Sequence, residues 1–216
     1  MKLLVLFSLI LFSTDLFSRE SAIEAVDKEN LRVCADPSNL PFSNDKGEGF
    51  ENEIAELLGK KLNIPVVYDY FPQVIGYVRN TLDKKKCDII IGITAGNELV
   101  LNTVPYMRWA YGMVYLKDSE IEVDRPDHPQ LAELSIGVQA GTPPTFVLQR
   151  YNLMGRVRPY NLTFDPRVAV IGETIIEDMI DGLIDIAFMS GPIASHYLNK
   201  KGYDKSKYVF IPLETT

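Results

Sequence analysis

One stretch of the 216-residue chain constrains its fold more than any other: an apolar strand that leads into a polar loop and then a helix. The strand and loop read LRVCADPSNLPF from Leu31 to Phe42, and the helical pattern GFENEIAELLGKKL follows from Gly49. A third element, CDIIIG from Cys87 to Gly92, has the unbroken apolar run of a parallel strand buried on both faces. Because strands and helices alternate within about sixty residues, we predict an α/β sheet with parallel neighbours.

The spacing of apolar residues also predicts which face of the helix is buried, since residues three and four apart share one face. The positions on the predicted core face are Phe50, Ile54, Leu57, Leu58 and Leu62. The positions predicted to face solvent are Glu51, Glu53, Glu56 and Lys60.

The beginning of the chain has the form of a secretory signal peptide. Lys2 precedes an apolar run from Leu3 to Phe12, and a helix that crosses a bilayer needs about 20 residues, so this run is too short to span one. We therefore expect residues 1–18 to be a signal peptide, with a buried N-terminal helix as the alternative. The expected location is a bacterial periplasm, with no membrane span after cleavage.

The formal net charge is −7, and the basic residues are scattered along the sequence. Nucleic acids and acidic membranes attract cationic patches, so the sequence predicts no nucleic-acid partner. The length allows one domain or two small lobes.

Two cysteines in an exported chain suggest a disulfide, but the predicted strands argue against it. Cys34 lies late in the first strand and Cys87 at the start of the third, so parallel pairing in ordinary register would separate them beyond the ~7 Å Cα limit for bridging. Both a disulfide and two buried free thiols remain open. The two histidines, His128 and His196, lack further ligands at metal-binding spacing, so no metal site is predicted.

The second half of the chain repeats this architecture. The apolar run from Ala110 to Leu116 predicts a strand, and the polar, Pro-interrupted segment after it indicates a lobe boundary. Strands are then predicted over Ser135–Gln139 and Val157–Leu162, and Pro143 is expected at the first position of a helix. A helix from Glu173 leads into a final apolar strand, IDIAFM.

Candidate binding residues lie on loops after strand ends, where open α/β sheets bind ligands. The entrance to the helix after Gln139 offers backbone N–H groups and the Thr142 hydroxyl to an anion. The other candidates are Asn39, Phe42, Thr94, Tyr106, Arg108, Trp109, Tyr111 and Ser190. For each residue alone, packing is the ordinary role. No nucleophile has a base at recognisable spacing and no phosphate-binding glycine pattern exists, so neither an enzyme nor a cofactor is predicted.

Seven segments in this order resemble the type II periplasmic solute-binding proteins of ABC importers, family 3-like. They are LRVCADPSNLPF, GFENEIAELL, FPQVIGYVRNTL, CDIIIGITAG, VPYMRWAYGMVY, IGVQAGTPP and IDIAFMSGPIA. Within this class the chain is similar to the J proteins of methanol dehydrogenase operons. The resemblance implies two lobes, each with a mostly parallel sheet flanked by helices: lobe 1 over residues 31–109, then a hinge strand and lobe 2 over 110–216.

Two departures from the amino-acid-binding branch of this class affect the expected ligand. In that branch an Arg binds the ligand carboxylate, and this chain has Leu99 at that position. An acidic residue binds the ligand ammonium, and this chain has Ser190 at that position. An amino-acid ligand is therefore disfavoured. The resemblance also implies a return strand to lobe 1 after VFIPLETT, so we expect lobe 1 to be incomplete over this sequence, with exposed apolar surface.

The resemblance implies an accessory protein that helps to mature or activate a methanol dehydrogenase dependent on pyrroloquinoline quinone, including the lanthanide-using type, alongside its cytochrome c system. Phe42, Tyr106, Trp109, Tyr111 and Arg108 are the expected contact residues, because such side chains dominate interface anchors. The alternative is a substrate-binding protein of an ABC importer, with a small metabolite other than an amino acid in its cleft.

Overall fold

The computed structural model describes residues 27–161 and 170–213. The predicted signal peptide, residues 1–18, lies outside the described residues. None of the helices within the described ranges is both long and apolar enough to cross a membrane.

Two sheets form the two lobes of the fold. The first lobe contains β1 (Leu31–Ala35), β2 (Ser38–Asn39), β3 (Ser43–Asn44), α1 (Phe50–Leu62), β4 (Val66–Tyr70), α2 (Tyr77–Asn80) and β5 (Ile89–Ile90). The second lobe contains β6 (Tyr111–Leu116), β7 (Ile136–Gln139), α3 (Pro144–Arg150), β8 (Val157–Tyr160), α4 (Ile171–Ile180), β9 (Ile186–Ser190), α5 (Gly191–Lys200) and β10 (Tyr208–Pro212).

The sheet of the first lobe is parallel, as the sequence predicts. Its strand order is β4-β1-β5, with Val33 paired to Tyr68 on one side and to Ile89 on the other. The third strand is shorter than the expected Cys87–Gly92 and begins only at Ile89. Strand β1 is the central strand and brings its carboxyl end to the loop that begins at Asp36.

Helix α1 forms where predicted, but the prediction of its buried face holds only in part. Ile54 packs against the core of the first lobe, and Glu53, Glu56 and Lys60 are exposed, as predicted. The structure buries Glu51, Asn52, Ala55 and Gly59 and leaves Leu62 59% exposed. Leu57 and Leu58 are also exposed, at 55% and 36%. Gly59 lies so close to β4 that a Cβ there would clash with the Val66 side chain, so the helix approaches the sheet through its small residues.

The N-terminus of α1 is held by polar contacts that fix this rotation. The Asn52 side-chain oxygen accepts hydrogen bonds from the Gly49 N–H at 3.2 Å and the Asn44 N–H at 3.0 Å. The Glu51 N–H donates to the Phe42 carbonyl at 2.8 Å. These contacts satisfy N–H groups near the helix start that have no partner inside the helix.

Cys34 and Cys87 form a disulfide, with their Cα atoms 5.5 Å apart. The geometric expectation that strand register would hold them too far apart was wrong. Cys87 precedes the strand, because β5 begins at Ile89. Cys87 therefore lies outside the paired register of β5, and Tyr77 belongs to the same buried cluster as both cysteines.

The sheet of the second lobe has five strands in the order β10-β6-β9-β7-β8. Strand β7 is parallel to β8 and β9, whereas β6 is antiparallel to β9 and β10. Helices α4 and α5 cover one face through a cluster that includes Ile176 and Leu198. The opposite face buries Phe188, Leu148 and Leu131.

Predictions for the second lobe are confirmed for β6, β7, β8, β9 and α4, with ends that shift by up to two residues. Helix α3 begins at Pro144, and Pro143 is its N-cap instead of its first residue.

The segment between β5 and β6 contains neither helix nor strand over residues 93–110. Several of its apolar side chains are exposed, among them Leu101 at 102% and Val104 at 86%. Exposed apolar side chains of the first lobe thus lie in this segment and at Leu57, Leu58 and Leu62 of α1.

Candidate functional site

A cavity of about 220 Å³ lies between the two lobes, beside the carboxyl ends of the parallel strands β1, β4, β5, β7 and β9. Ligands of open α/β sheets bind at such strand ends. The first lobe contributes Asp36, Ser38, Asn39, Leu40, Phe42, Glu51, Pro72, Gln73, Val74, Gly92 and Trp109. The second lobe contributes Tyr111, Gln139, Thr142, Val170, Ile171, Gly172, Ser190, Ile193 and Tyr197.

The cavity brings together six of the nine residues that the sequence singles out. Asn39, Phe42, Trp109, Tyr111, Thr142 and Ser190 line it. Thr94, Tyr106 and Arg108 are outside the lining and have exposed side chains. Tyr106 still contacts the site indirectly, through a hydrogen bond to Glu51.

An aromatic cluster supports the first-lobe wall of the cavity. Phe42 is buried, and its ring lies 5.1 Å from that of Trp109 and 5.2 Å from that of Phe50, measured between centroids. The tilted ring geometry and short spacing are typical of favourable aromatic pairs. Trp109 therefore packs against Phe42 of the loop after β1, and Phe42 in turn packs against Phe50 of α1.

Asp36 follows β1 directly and is buried at 9% exposure. Its carboxylate accepts hydrogen bonds from the Ser38 N–H at 2.8 Å and the Gln73 N–H at 2.6 Å. The two bonds tie the loop after β1 to the loop after β4. Burial raises the pKa of Asp36, and the two backbone donors oppose that effect.

Glu51, in the first turn of α1, is a second buried carboxylate in the cavity wall, at 5% exposure. The Tyr106 hydroxyl donates to its Oε1 atom at 3.2 Å. Burial raises the pKa of Glu51 to about 7, while the bond from Tyr106 lowers that pKa and the nearby Asp36 raises it. Sequence periodicity placed Glu51 on the solvent face, and this assignment was wrong.

Gly92 makes room for the Glu51 carboxylate. Its φ of +86° is a left-handed conformation that favours glycine, and a Cβ at this position would overlap the carboxylate. At Gly92, the first glycine of the GITAG sequence after β5, any larger residue would therefore clash with the Glu51 side chain.

The predicted anion site at Thr142 has little to offer an anion. The Thr142 hydroxyl donates to the Gln139 carbonyl at 2.6 Å, so its proton is already engaged. Helix α3 is only seven residues long.

Ser190 lies at the end of β9 and is the N-cap of α5. It is 5% exposed, and its Oγ atom has no hydrogen-bond partner among the described residues. A buried hydroxyl without a partner loses free energy relative to one hydrated by water. Ser190 is therefore a polar group available to a ligand in the cavity.

Acidic side chains are the only charged groups among the described residues that line the cavity. Leu99, at the position where the amino-acid-binding branch has its Arg, is 70% exposed and outside the lining. The described ranges also contain no group of three or more His, Cys, Asp or Glu side chains placed to hold a metal ion.

Comparison with known proteins assigns the fold and the family. No protein-family model matches the chain. Protein MoxJ of Paracoccus denitrificans is 31% identical over 183 residues, which cover 80% of this chain and 66% of MoxJ. The chain thus spans about two thirds of the length of this curated relative.

Two solved structures superpose on the chain with a TM-score of 0.68 each. The periplasmic binding protein XoxJ from Methylobacterium extorquens AM1 is 36% identical, with 86% of this chain and 78% of XoxJ covered. MxaJ from Methlophaga aminisulfidivorans MPT is 23% identical, with 85% and 77% covered.

Two α/β lobes that meet at a ligand-sized cleft define a type II periplasmic binding protein fold. At the identity and coverage found for XoxJ, the chain belongs to the family of periplasmic binding proteins related to XoxJ and MxaJ.

Proposed function

We propose that the protein is a periplasmic, non-enzymatic accessory protein of a methanol dehydrogenase that depends on pyrroloquinoline quinone. Its role would be to assist maturation or activation of the dehydrogenase, including the lanthanide-using type, next to the cytochrome c that accepts the electrons. The observation that carries this proposal is the 36% identity to the periplasmic binding protein XoxJ across 86% of the chain.

The charge of the cleft supports a role other than amino-acid import. An amino acid would bring its carboxylate next to Asp36 and Glu51, and the described lining offers no Lys, Arg or His to pair with it. Leaving a buried charge without a partner costs on the order of 3–5 kcal/mol.

The segment of residues 93–110 is the proposed surface for the dehydrogenase. Tyr106 and Met107 are 52% and 37% exposed, and the exposed Arg108 follows them directly. Aromatic residues, Met and Arg are enriched in protein interfaces, and they anchor a disproportionate share of the binding energy. The exposed Leu101 and Val104 extend the same surface.

The proposal is tested by calorimetric titration of the protein into quinone-loaded and apo methanol dehydrogenase from the same organism. We expect saturable binding to at least one form. Arg108→Glu should weaken it about tenfold or more, because it reverses a charge at the proposed contact. Arg150→Glu, an exposed Arg on α3 of the other lobe, is the matched control and should bind like the unmodified protein. Absence of binding, or equal loss in both variants, would contradict the proposal.

Trp109 tests whether the cleft wall takes part in this contact. Trp109→Ala should weaken dehydrogenase binding while preserving a cooperative melting transition, since the Phe42–Phe50 contact remains to support the wall. Unchanged affinity would remove Trp109 from the contact surface.

The cavity itself favours a second candidate, a substrate-binding protein of an ABC importer for a small metabolite other than an amino acid. A ligand that binds only the folded protein should stabilise it by about 2.7 kcal/mol at a hundredfold excess over its Kd. A thermal-shift panel of metabolites tests the importer role: a shift without dehydrogenase binding would favour it, and saturable dehydrogenase binding would favour the accessory role.

A further inference from the structure

The cleft contains two buried carboxyl groups that have no basic partner among the described residues. Asp36 and Glu51 are 9% and 5% exposed, and no basic side chain contributes to the shift in either carboxyl pKa. Buried carboxylates in proteins are normally paired with a cation or a metal ion. Asp36 receives two backbone hydrogen bonds, whereas the one side-chain donor to Glu51 is the Tyr106 hydroxyl.

Ser190 provides a second, independent indication that a ligand occupies the cavity. Its side chain is buried in the wall contributed by the second lobe, and its Oγ atom has no partner within the described chain. A ligand with a hydrogen-bonding group would satisfy it. The lobes thus present a carboxylate on one side of the cavity and a free hydroxyl on the other.

The other residues that line the cavity favour an organic cation over a metal ion. Trp109, Phe42, Tyr111 and Tyr197 line the cavity with aromatic rings, and such rings attract a positive charge over their faces. The absence of a three-ligand metal cluster in the described ranges disfavours a divalent ion. The volume of about 220 Å³ is below the ~300–1,000 Å³ typical of drug-sized ligands.

We propose that the cleft binds a small organic cation, an alkylammonium that has no carboxylate of its own, with Glu51 as its counter-ion and Ser190 as a hydrogen-bonding partner. The aromatic rings would surround its alkyl groups. The proposal concerns the cleft alone and holds for either role above, so its test is independent of dehydrogenase binding.

The titration of Glu51 gives the proposal a pH dependence. The titratable groups that act on or face Glu51 are Asp36, Tyr106 and Tyr77, all of which are neutral or negative near pH 7. Because burial raises the pKa of Glu51 to about 7, a bound cation would favour the ionised form and release a proton. Affinity for the cation should therefore rise between pH 6 and pH 8.

The test compares three probes of nearly equal size by calorimetric titration of the purified protein at pH 8. Choline is the cation, 3,3-dimethyl-1-butanol is its neutral counterpart, and betaine is the zwitterion that adds a carboxylate. We expect choline to bind at least tenfold more tightly than either of the others. Preference for betaine over choline would overturn the proposal. n-Butylammonium and 1-butanol repeat the comparison with a primary amine. If choline is too bulky for the cavity, tighter binding of n-butylammonium than of 1-butanol would support the proposal. Failure of both cations to bind more tightly than their alcohols would overturn it.

Two variants of α1 then test whether Glu51 is the counter-ion of the bound cation. Glu51→Gln should weaken binding of the preferred cation at least tenfold at pH 8 and abolish the rise in affinity between pH 6 and pH 8. Glu53→Gln, an exposed neighbour on the same helix, should leave both unchanged. If Glu51→Gln alters the far-UV spectrum, Ser190→Ala provides the second measurement, with a smaller loss expected. Unchanged affinity in a folded Glu51→Gln protein would contradict the assignment.

Discussion

The two lobes achieve their stability by different chemistry. Over the described residues, the second lobe buries two apolar clusters of twelve and eleven residues on the two faces of its sheet. The first lobe buries clusters of only four and three. A core that small excludes little apolar surface from water, so the first lobe depends more on cross-links and polar contacts.

Buried polar side chains follow the same division. The described residues of the first lobe bury Asp36, Ser43, Asn44, Glu51, Asn52 and Thr81. In the second lobe Ser190 alone is in this class, within the described ranges. Since Asp36 and Glu51 line the cleft, the lobe with the smaller described core contributes the proposed counter-ion, while Ser190 of the second lobe contributes the hydroxyl.

The largest expected effect is the loss of a core side chain from the second lobe. Phe188 on β9 is completely buried, and Phe188→Ala should destabilise the protein by about 3–5 kcal/mol through lost burial and a residual cavity. Urea unfolding followed by far-UV circular dichroism measures it. Leu101→Ala, at an exposed position of the first lobe, is the control and should change stability by less than about 0.5 kcal/mol. A Phe188→Ala loss no larger than that of Leu101→Ala would contradict the assignment of Phe188 to the core of the second lobe.

The disulfide should matter next, and mainly in the first lobe. Cys34 and Cys87 are 53 positions apart, and cross-links typically stabilise by about 2–4 kcal/mol by restricting the unfolded chain. Reductant should therefore make residues 31–109 susceptible to proteolysis before the second lobe, as mass spectrometry of the fragments can show. The Cys34→Ala/Cys87→Ala double variant should match the reduced protein and be insensitive to reductant. First cleavage in the second lobe would contradict this expectation.

Glu51 should give a smaller effect that depends on pH. Its folded pKa is about 7 and its reference value is 4.5. The folded state therefore holds the proton more tightly, and this contribution to stability is present below pH 4.5 and lost as pH rises through 7. Glu51→Gln removes the cost of ionisation, so without ligand the variant should be more stable than the parent at pH 8 by on the order of 2–3 kcal/mol. Melting curves from pH 5 to pH 8 test the sign, and a Glu51→Gln protein that loses stability relative to the parent as pH rises would refute it.

The sequence predicts many of the helices and strands, because the periodicity of the apolar residues depends on local structure. Strand β1, helix α1 and strand β9 are found where their apolar patterns indicate. The face of α1 was predictable only in part in this way, because the helix packs through Ala55 and Gly59 as well as Ile54, while its leucines remain exposed.

Features that depend on the approach of distant segments required the structure. The Cys34–Cys87 bond exists because the chain leaves strand geometry before Ile89, which no pattern in CDIIIG indicates. Six lining residues were proposed from their positions after strands, but Asp36 and Glu51 were missed because acidic residues in loops and first helical turns are usually solvated. Glu51 lies in the GFEN block, one of the segments that resemble the J proteins, but that block does not indicate that the Glu51 side chain is buried.

The accessory role is tested most directly by the rate at which apo methanol dehydrogenase gains activity after quinone and metal are added. It should be recorded with and without substoichiometric amounts of this protein. The account predicts faster or more complete activation in its presence, reduced by Arg108→Glu and preserved by Arg150→Glu. An activation rate unaffected by the protein at every ratio tested would contradict the accessory role.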